Sequence, residues 1–118
     1  MKDLAAVPAA YLEALKARDL DAIVDLYAED AIVEDPVGSD AHEGIAAIRE
    51  FYKGATGMSI EGELQGQVRV ASNEVAFAFR ITMADVGMTI DVIDTFKFND
   101  AGKIILMRAF WGPENVTS

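Results

Sequence analysis

Two acidic residues and three tyrosines stand out in this chain as groups able to do chemistry. Residues 88–98 (Met-Thr-Ile-Asp-Val-Ile-Asp-Thr-Phe-Lys-Phe) are rich in β-branched and aromatic types that alternate with polar ones. That pattern predicts a strand. Side chains alternate between the two faces of a strand, so Met88, Ile90, Val92, Asp94, Phe96 and Phe98 share one face. Asp94 is the sole polar member of that set. A carboxylate on a core face is costly when ionised, and it either finds a partner or keeps its proton. Asp35 precedes Pro36, and a residue before proline is pushed to an extended conformation. Asp35 therefore closes a short strand over 31–36, on the side shared by Ala31 and Val33. The only tyrosines, Tyr11, Tyr27 and Tyr52, each fall on the apolar stripe of a different predicted helix. An ionised carboxylate removes a proton next to a carbonyl. A tyrosine and a protonated acid can donate hydrogen bonds to the enolate oxygen that develops. Desolvation in an apolar site keeps the second acid neutral.

Each signal has a plainer explanation. Asp94 is either a core acid or a sheet-edge carboxylate paired with Arg80 or Arg108. Asp35 is either a base or a turn residue before proline. The tyrosine hydroxyls either bond one another around a pocket, since burying one unpaired costs about 1–3 kcal/mol, or reach solvent separately at the rim. Phe77, Phe79, Met83, Phe96, Met107, Phe110 and Trp111 are either ordinary core or the apolar lining of a pocket. His42, the only histidine, reads as a solvated loop residue, which leaves no His-based triad and no multi-His metal site.

The elements that must position these groups follow from periodicity. Leu4, Val7, Tyr11 and Leu15 recur at helical spacing and predict a helix over about 4–17, with Pro8 in its first turn. Asp19 is the natural N-cap of a second helix reaching about Glu29, with Leu20, Ile23, Val24 and Tyr27 on one face. After the short strand and a loop over 37–43, a third helix is expected over about 44–53. Ile45, Ile48 and Tyr52 mark its buried face, Phe51 lies beside it, and Gly54 and Gly57 end it. Four strands follow, over 63–71, 74–83, 88–98 and 103–111. They are separated by Ser72-Asn73, Asp85-Val86-Gly87 and the hairpin loop 99–102. The residues after Pro113 look frayed. Three helices with a short strand, followed by an antiparallel meander, predict an α+β domain. A strongly curved sheet wrapped over the helices would enclose a deep apolar pocket.

Composition bounds the function. The 118 residues suit one domain, 1–118, and the 52% apolar content supports a folded core. No apolar run reaches the ~20 residues that cross a bilayer. The start, Met1-Lys2-Asp3-Leu4, lacks the apolar stretch of a signal peptide. With no cysteine, disulfides, thiolate metal sites and a Cys nucleophile are excluded, and the cytoplasm is the expected location. The net charge of −10 comes without any cluster of Lys and Arg, which argues against nucleic acid and against an anionic membrane surface. An apolar small molecule or a protein partner fits better.

Over nearly its whole length the sequence resembles the bacterial steroid Δ-isomerases, also called ketosteroid isomerases. The matching segments are residues 11–15, 21–24, 27–38, 47–52, 91–94 and 107–111. The most specific are Glu34-Asp35-Pro36-Val37-Gly38 and the Ile93-Asp94 strand. The resemblance implies a cone-shaped fold of the nuclear-transport-factor-2-like superfamily, a homodimer, no cofactor and no metal. It implies that Asp35 is the base that moves a proton from carbon 4 to carbon 6 of a 5-ene-3-ketosteroid. Tyr11 and Asp94 would form the oxyanion hole, with Tyr27 and Tyr52 supporting Tyr11. Phe51, Phe79, Met107 and Trp111 would touch the steroid, or another apolar enone or phenol. Some members carry Phe at the positions of Tyr27 and Trp111. The same fold also hosts hydratases, dehydratases and epoxide hydrolases with His–Asp or Asp–Arg pairs, polyketide cyclases with an acidic base, and non-catalytic binding domains.

Overall fold

A computed structural model of the protein describes residues 3–118. A 3-10 turn over Leu4–Ala6 leads into helix α1 (Val7–Lys16), with Pro8 in its first turn, where a helix has no use for the missing N–H. Its buried face carries Tyr11, Leu12, Ala14 and Leu15. Asp19 caps α2 (Leu20–Val24) by accepting the Ala22 N–H at 3.1 Å.

The second helix is shorter than its periodicity suggests. It stops at Val24, and Tyr27–Glu34 forms strand β1. Tyr27 therefore sits on a strand and not on a helix. The reason is tertiary. Strand β1 lies parallel to β7 (Ile104–Phe110), with Tyr27 opposite Ile104 and Val33 opposite Met107. That pairing outweighs the helical preference of Ala28 and Glu29. His42 also departs from expectation. It belongs to a two-residue strand, β2 (His42–Glu43), paired with β1, and its ring packs on Phe51 with centroids 4.5 Å apart.

Helix α3 runs over Ile45–Thr56, one turn further than expected. Gly54 lies inside it and Gly57 is the C-cap. The expected strand over 63–71 is two strands, β3 (Glu61–Leu64) and β4 (Arg69–Ala71), split around Gly66, whose φ is +85°. Both pair with β5 (Glu74–Met83). A 3-10 turn over Ala84–Val86 leads to β6 (Met88–Phe98), which pairs with β5 and β7. The tail is not frayed. Pro113–Asn115 makes a 3-10 turn, and β8 (Val116–Thr117) pairs with Thr89 and Ile90 of β6.

The sheet order is β2-β1-β7-β6-β5-β3, with β4 on β5 and β8 on β6. Among the described residues only the β1–β7 pair is parallel. The sheet curls without closing, and the helices pack into its inner face, so the chain is an α+β fold. Tyr11, Leu12, Leu15, Ile48 and Tyr52 from the helices meet Phe77, Phe79, Phe96, Phe98, Ile104 and Met107 from the sheet. At Gly62 a side chain would meet Leu12 Cδ2 at 2.7 Å, so glycine lets α1 lie close on β3. No helix among the described residues is long and apolar enough to cross a membrane.

Phe96 joins this core to the polar residues. It is fully buried and makes edge contacts with Tyr11 at 5.3 Å and with Phe77 at 5.1 Å. Phe96→Ala should cost about 3–5 kcal/mol, whereas Phe96→Leu should cost well under half of that. Urea unfolding monitored by circular dichroism measures both.

Candidate active site

Strand parity puts Asp94 on the inner face of β6, where it is 1% exposed. It is the one buried charged-type residue among those described. Neither arginine reaches it. Arg80 pairs with Asp91 at 2.8 Å and Arg108 with Glu34 at 3.0 Å, both on the outer face. Asp94 Oδ1 has no hydrogen-bond partner among the described residues. Burial, and after it the nearby Asp35 carboxylate, push the Asp94 pKa well above the usual carboxylate range.

Asp35 follows directly after β1 and shares the inward side of Ala31 and Val33, both fully buried. The turn that carries it is tied down twice. Val37 N–H donates to Ala109 O at 2.8 Å, and Ser39 Oγ donates to Pro36 O at 2.6 Å. The Trp111 indole N–H donates to Asp35 Oδ1 at 2.9 Å. Burial raises the Asp35 pKa, while that indole and then His42 act to lower it. The two acids thus face different surroundings. Asp94 is enclosed without a donor, whereas Asp35 is only part-buried and receives an N–H. Asp35 is the one that ionises first, and its charge further discourages ionisation of Asp94.

The three tyrosines do meet, although from two helices and one strand. The Tyr52 hydroxyl stands 3.0 Å from that of Tyr11 and 2.6 Å from that of Tyr27. All three are buried, and burial is the largest cause that lifts their pKa values well above the ordinary phenol value. The chain of hydroxyls satisfies groups that would otherwise be costly to bury. It also ties α1, α3 and the start of β1 together.

One cavity of about 220 Å3 brings the two acids and Tyr11 together. Its lining includes Tyr11, Asp35, Asp94 and Trp111, with Phe51 and Phe79 as apolar wall. Met107 does not line it; this side chain is fully buried in the core, opposite Phe96 on β6. Tyr27 and Tyr52 stand behind Tyr11 and also lie outside the lining. Phe110 points to the outer face and is 42% exposed, because consecutive residues on a strand cannot both face inward and Trp111 takes the inner side. Sequence reasoning missed Met58 and the Trp111–Asp35 bond. Met58 was visible only as a lone apolar residue between Gly57 and Ser59. The indole bond joins residues 76 positions apart, and no local pattern reports it. Among the described residues no group of three His, Cys, Asp or Glu side chains could hold a metal ion.

The arrangement places one part-buried carboxyl at the side of an apolar cavity, with a second carboxyl, whose pKa burial raises, and a phenol enclosed by the core. It suits reactions in which a proton leaves carbon or oxygen while negative charge develops on a second oxygen.

Comparison with known proteins identifies the family of the chain. Residues 9–107 match the SnoaL-like domain family. Over 113 residues the chain is 42% identical to a protein of Nocardioides simplex named Steroid Delta-isomerase, covering 94% of this chain and 91% of that one. Among solved structures it superposes with a TM-score of 0.86 and 32% identity on SalBIII. That protein is an epoxide hydrolase/cyclase-like enzyme in pyran ring formation in the polyether salinomycin, and the match covers 93% of this chain and 91% of SalBIII. By fold and by sequence, the chain belongs to the SnoaL-like, nuclear-transport-factor-2-like family.

Proposed function

We propose that the chain, residues 1–118 acting as one domain in the cytoplasm, is a steroid Δ-isomerase. The observation that carries this reading is the pair of acids in one apolar cavity, one beside an indole donor and one buried without any. The identity to the Nocardioides simplex isomerase supports it. In this reading the Asp35 carboxylate takes a proton from carbon 4 of a 5-ene-3-ketosteroid. The electron pair moves through the carbonyl carbon onto the 3-oxygen, giving a dienolate. Tyr11 and the neutral Asp94 donate hydrogen bonds to that oxygen. When Tyr27 donates to Tyr52 and Tyr52 to Tyr11, the Tyr11 proton is left free for the substrate. Asp35 then returns the proton to carbon 6, and the conjugated 4-ene-3-ketone leaves. The reaction is an internal proton transfer and calls for no cofactor.

A second reading rests on the likeness to SalBIII. The same two acids would serve ring closure of a hydroxy-epoxide. Asp35 would take the proton of the attacking hydroxyl as the epoxide C–O bond breaks, and Asp94 would protonate the oxygen released. Offering both androst-5-ene-3,17-dione and a hydroxy-epoxide polyether separates the two.

We also propose that a second copy covers the outer face of the sheet. Ile93 and Phe110 stand opposite each other across β6 and β7 and are 48% and 42% exposed. Ala78 of β5 lines a shallow depression of about 410 Å3 together with Ile93 and Phe110, and Ala76 continues the same face.

The absorbance of the conjugated product follows turnover of androst-5-ene-3,17-dione directly. Wild type should convert it rapidly, and Asp35→Asn should lose at least about a thousandfold in kcat, the upper part of the range for general-base catalysis. An active Asp35→Asn would remove Asp35 from its role. Activity requires the Asp35 anion, so kcat/KM should fall as pH drops through its pKa. Trp111→Phe removes a donor that lowers that pKa, so its acid limb should move to higher pH. Phe110→Asp should convert a dimer to a monomer in sedimentation velocity.

A further inference from the structure

The cavity of about 220 Å3 is smaller than the ~300–1,000 Å3 of pockets that enclose a drug-sized ligand. A four-ring ligand whose oxygen lies at Tyr11 and Asp94 therefore reaches the rim. Met58 and Met83 are among the lining residues, and Met58 is 38% exposed. Met58 belongs to the short segment between α3 and β3. Met83 ends β5, just before the turn Ala84–Val86. One side chain outside the cavity ties these pieces together. Asp85 Oδ2 accepts the Ser59 N–H at 3.0 Å, and the same oxygen stands 3.9 Å from Arg18 Nη2. The α1–α2 turn, the α3–β3 segment and the β5–β6 turn thus converge on one carboxylate. The Asp85 side chain is 59% exposed, so it adds nothing to the core. It does not line the cavity. Methionine suits the surface it holds, because an unbranched thioether adapts to the shape it covers.

We propose that Asp85 is a positioning residue for the distal part of the substrate. It holds Met58 against the β5–β6 turn, so that Met58 and Met83 close over the rings that extend beyond the cavity. The proposal deepens the isomerase reading and rests on it.

Two phenols of different length test it by equilibrium binding: 2-naphthol, with two rings, and estradiol, with four. Asp85→Ala should weaken estradiol binding about tenfold, the scale of one methionine's lost burial. The same change should alter 2-naphthol binding by less than about twofold, within the spread of ordinary surface substitutions. Asp85→Asn keeps an oxygen to accept the Ser59 N–H and should recover most of the estradiol affinity. Equal losses for both phenols, no loss for either, or an Asp85→Asn as weak as Asp85→Ala would each overturn the role of Asp85. A wild type that binds neither phenol would overturn the isomerase reading itself, and the proposal with it.

Discussion

Burying the Asp94 carboxyl away from any cationic partner is the constraint on which the rest of the site depends. The fold meets it by enclosure, with apolar side chains of β5 and β6 around the acid, and by spending both nearby arginines on outer-face partners. A guanidinium beside Asp94 would have held it as an anion. The choice has a thermodynamic signature. The folded pKa of Asp94 is raised, so the folded protein holds a proton that an unfolded chain releases above about pH 4. The stability linked to this group is full below the unfolded pKa and is lost as pH rises towards the folded one.

The tyrosines solve a related problem at a distance. A phenol buried alone would be costly, yet three in a row satisfy one another and fix their own geometry. Tyr52 is the hub, bonded to both others, and its ring is braced edge-on by Phe51 at 5.0 Å. Phe96 braces Tyr11 in the same way. Aromatic edges of this kind add stability beyond the area they bury. They hold the rings that carry the hydroxyls. The hydroxyl chain is therefore part of the packing of α1 and α3 on the sheet, as well as a polar feature of the site.

Much of this was legible in the residues, and the failures have physical causes. Alternation along 88–98 turned Asp94 inward, because side-chain parity on a long strand depends on little else. The Asp35–Pro36 pair marked a strand end for an equally local reason. Leu20, Ile23, Val24 and Tyr27 keep helical spacing, so periodicity alone puts Tyr27 on a helix. What makes it a strand is Ile104, far along the chain. Strand 63–71 divides because Gly66 takes a left-handed turn, which alternation does not report. Treating Phe110 and Trp111 as one lining ignored the parity that had located Asp94. The indole bond to Asp35 depends on which strands become neighbours, and composition carries no trace of that.

Pairing β1 in parallel with β7 sends both strands out of the sheet at the same end, with Asp35 following one and Trp111 following the other. Parallel neighbours cannot be joined by a tight turn, and here residues 35–103, more than half of the chain, serve as the connection. Closing so long a loop is entropically slow compared with forming a helix or a hairpin. The Asp35 end of the cavity thus depends on a pairing between strands far apart in the sequence. Helices and the β5–β6 hairpin can form from local contacts, but Asp35 gains its indole donor only when β7 docks beside β1. Without that pairing the helices would still carry Tyr11 and Tyr52, but Asp35 would lack its indole donor.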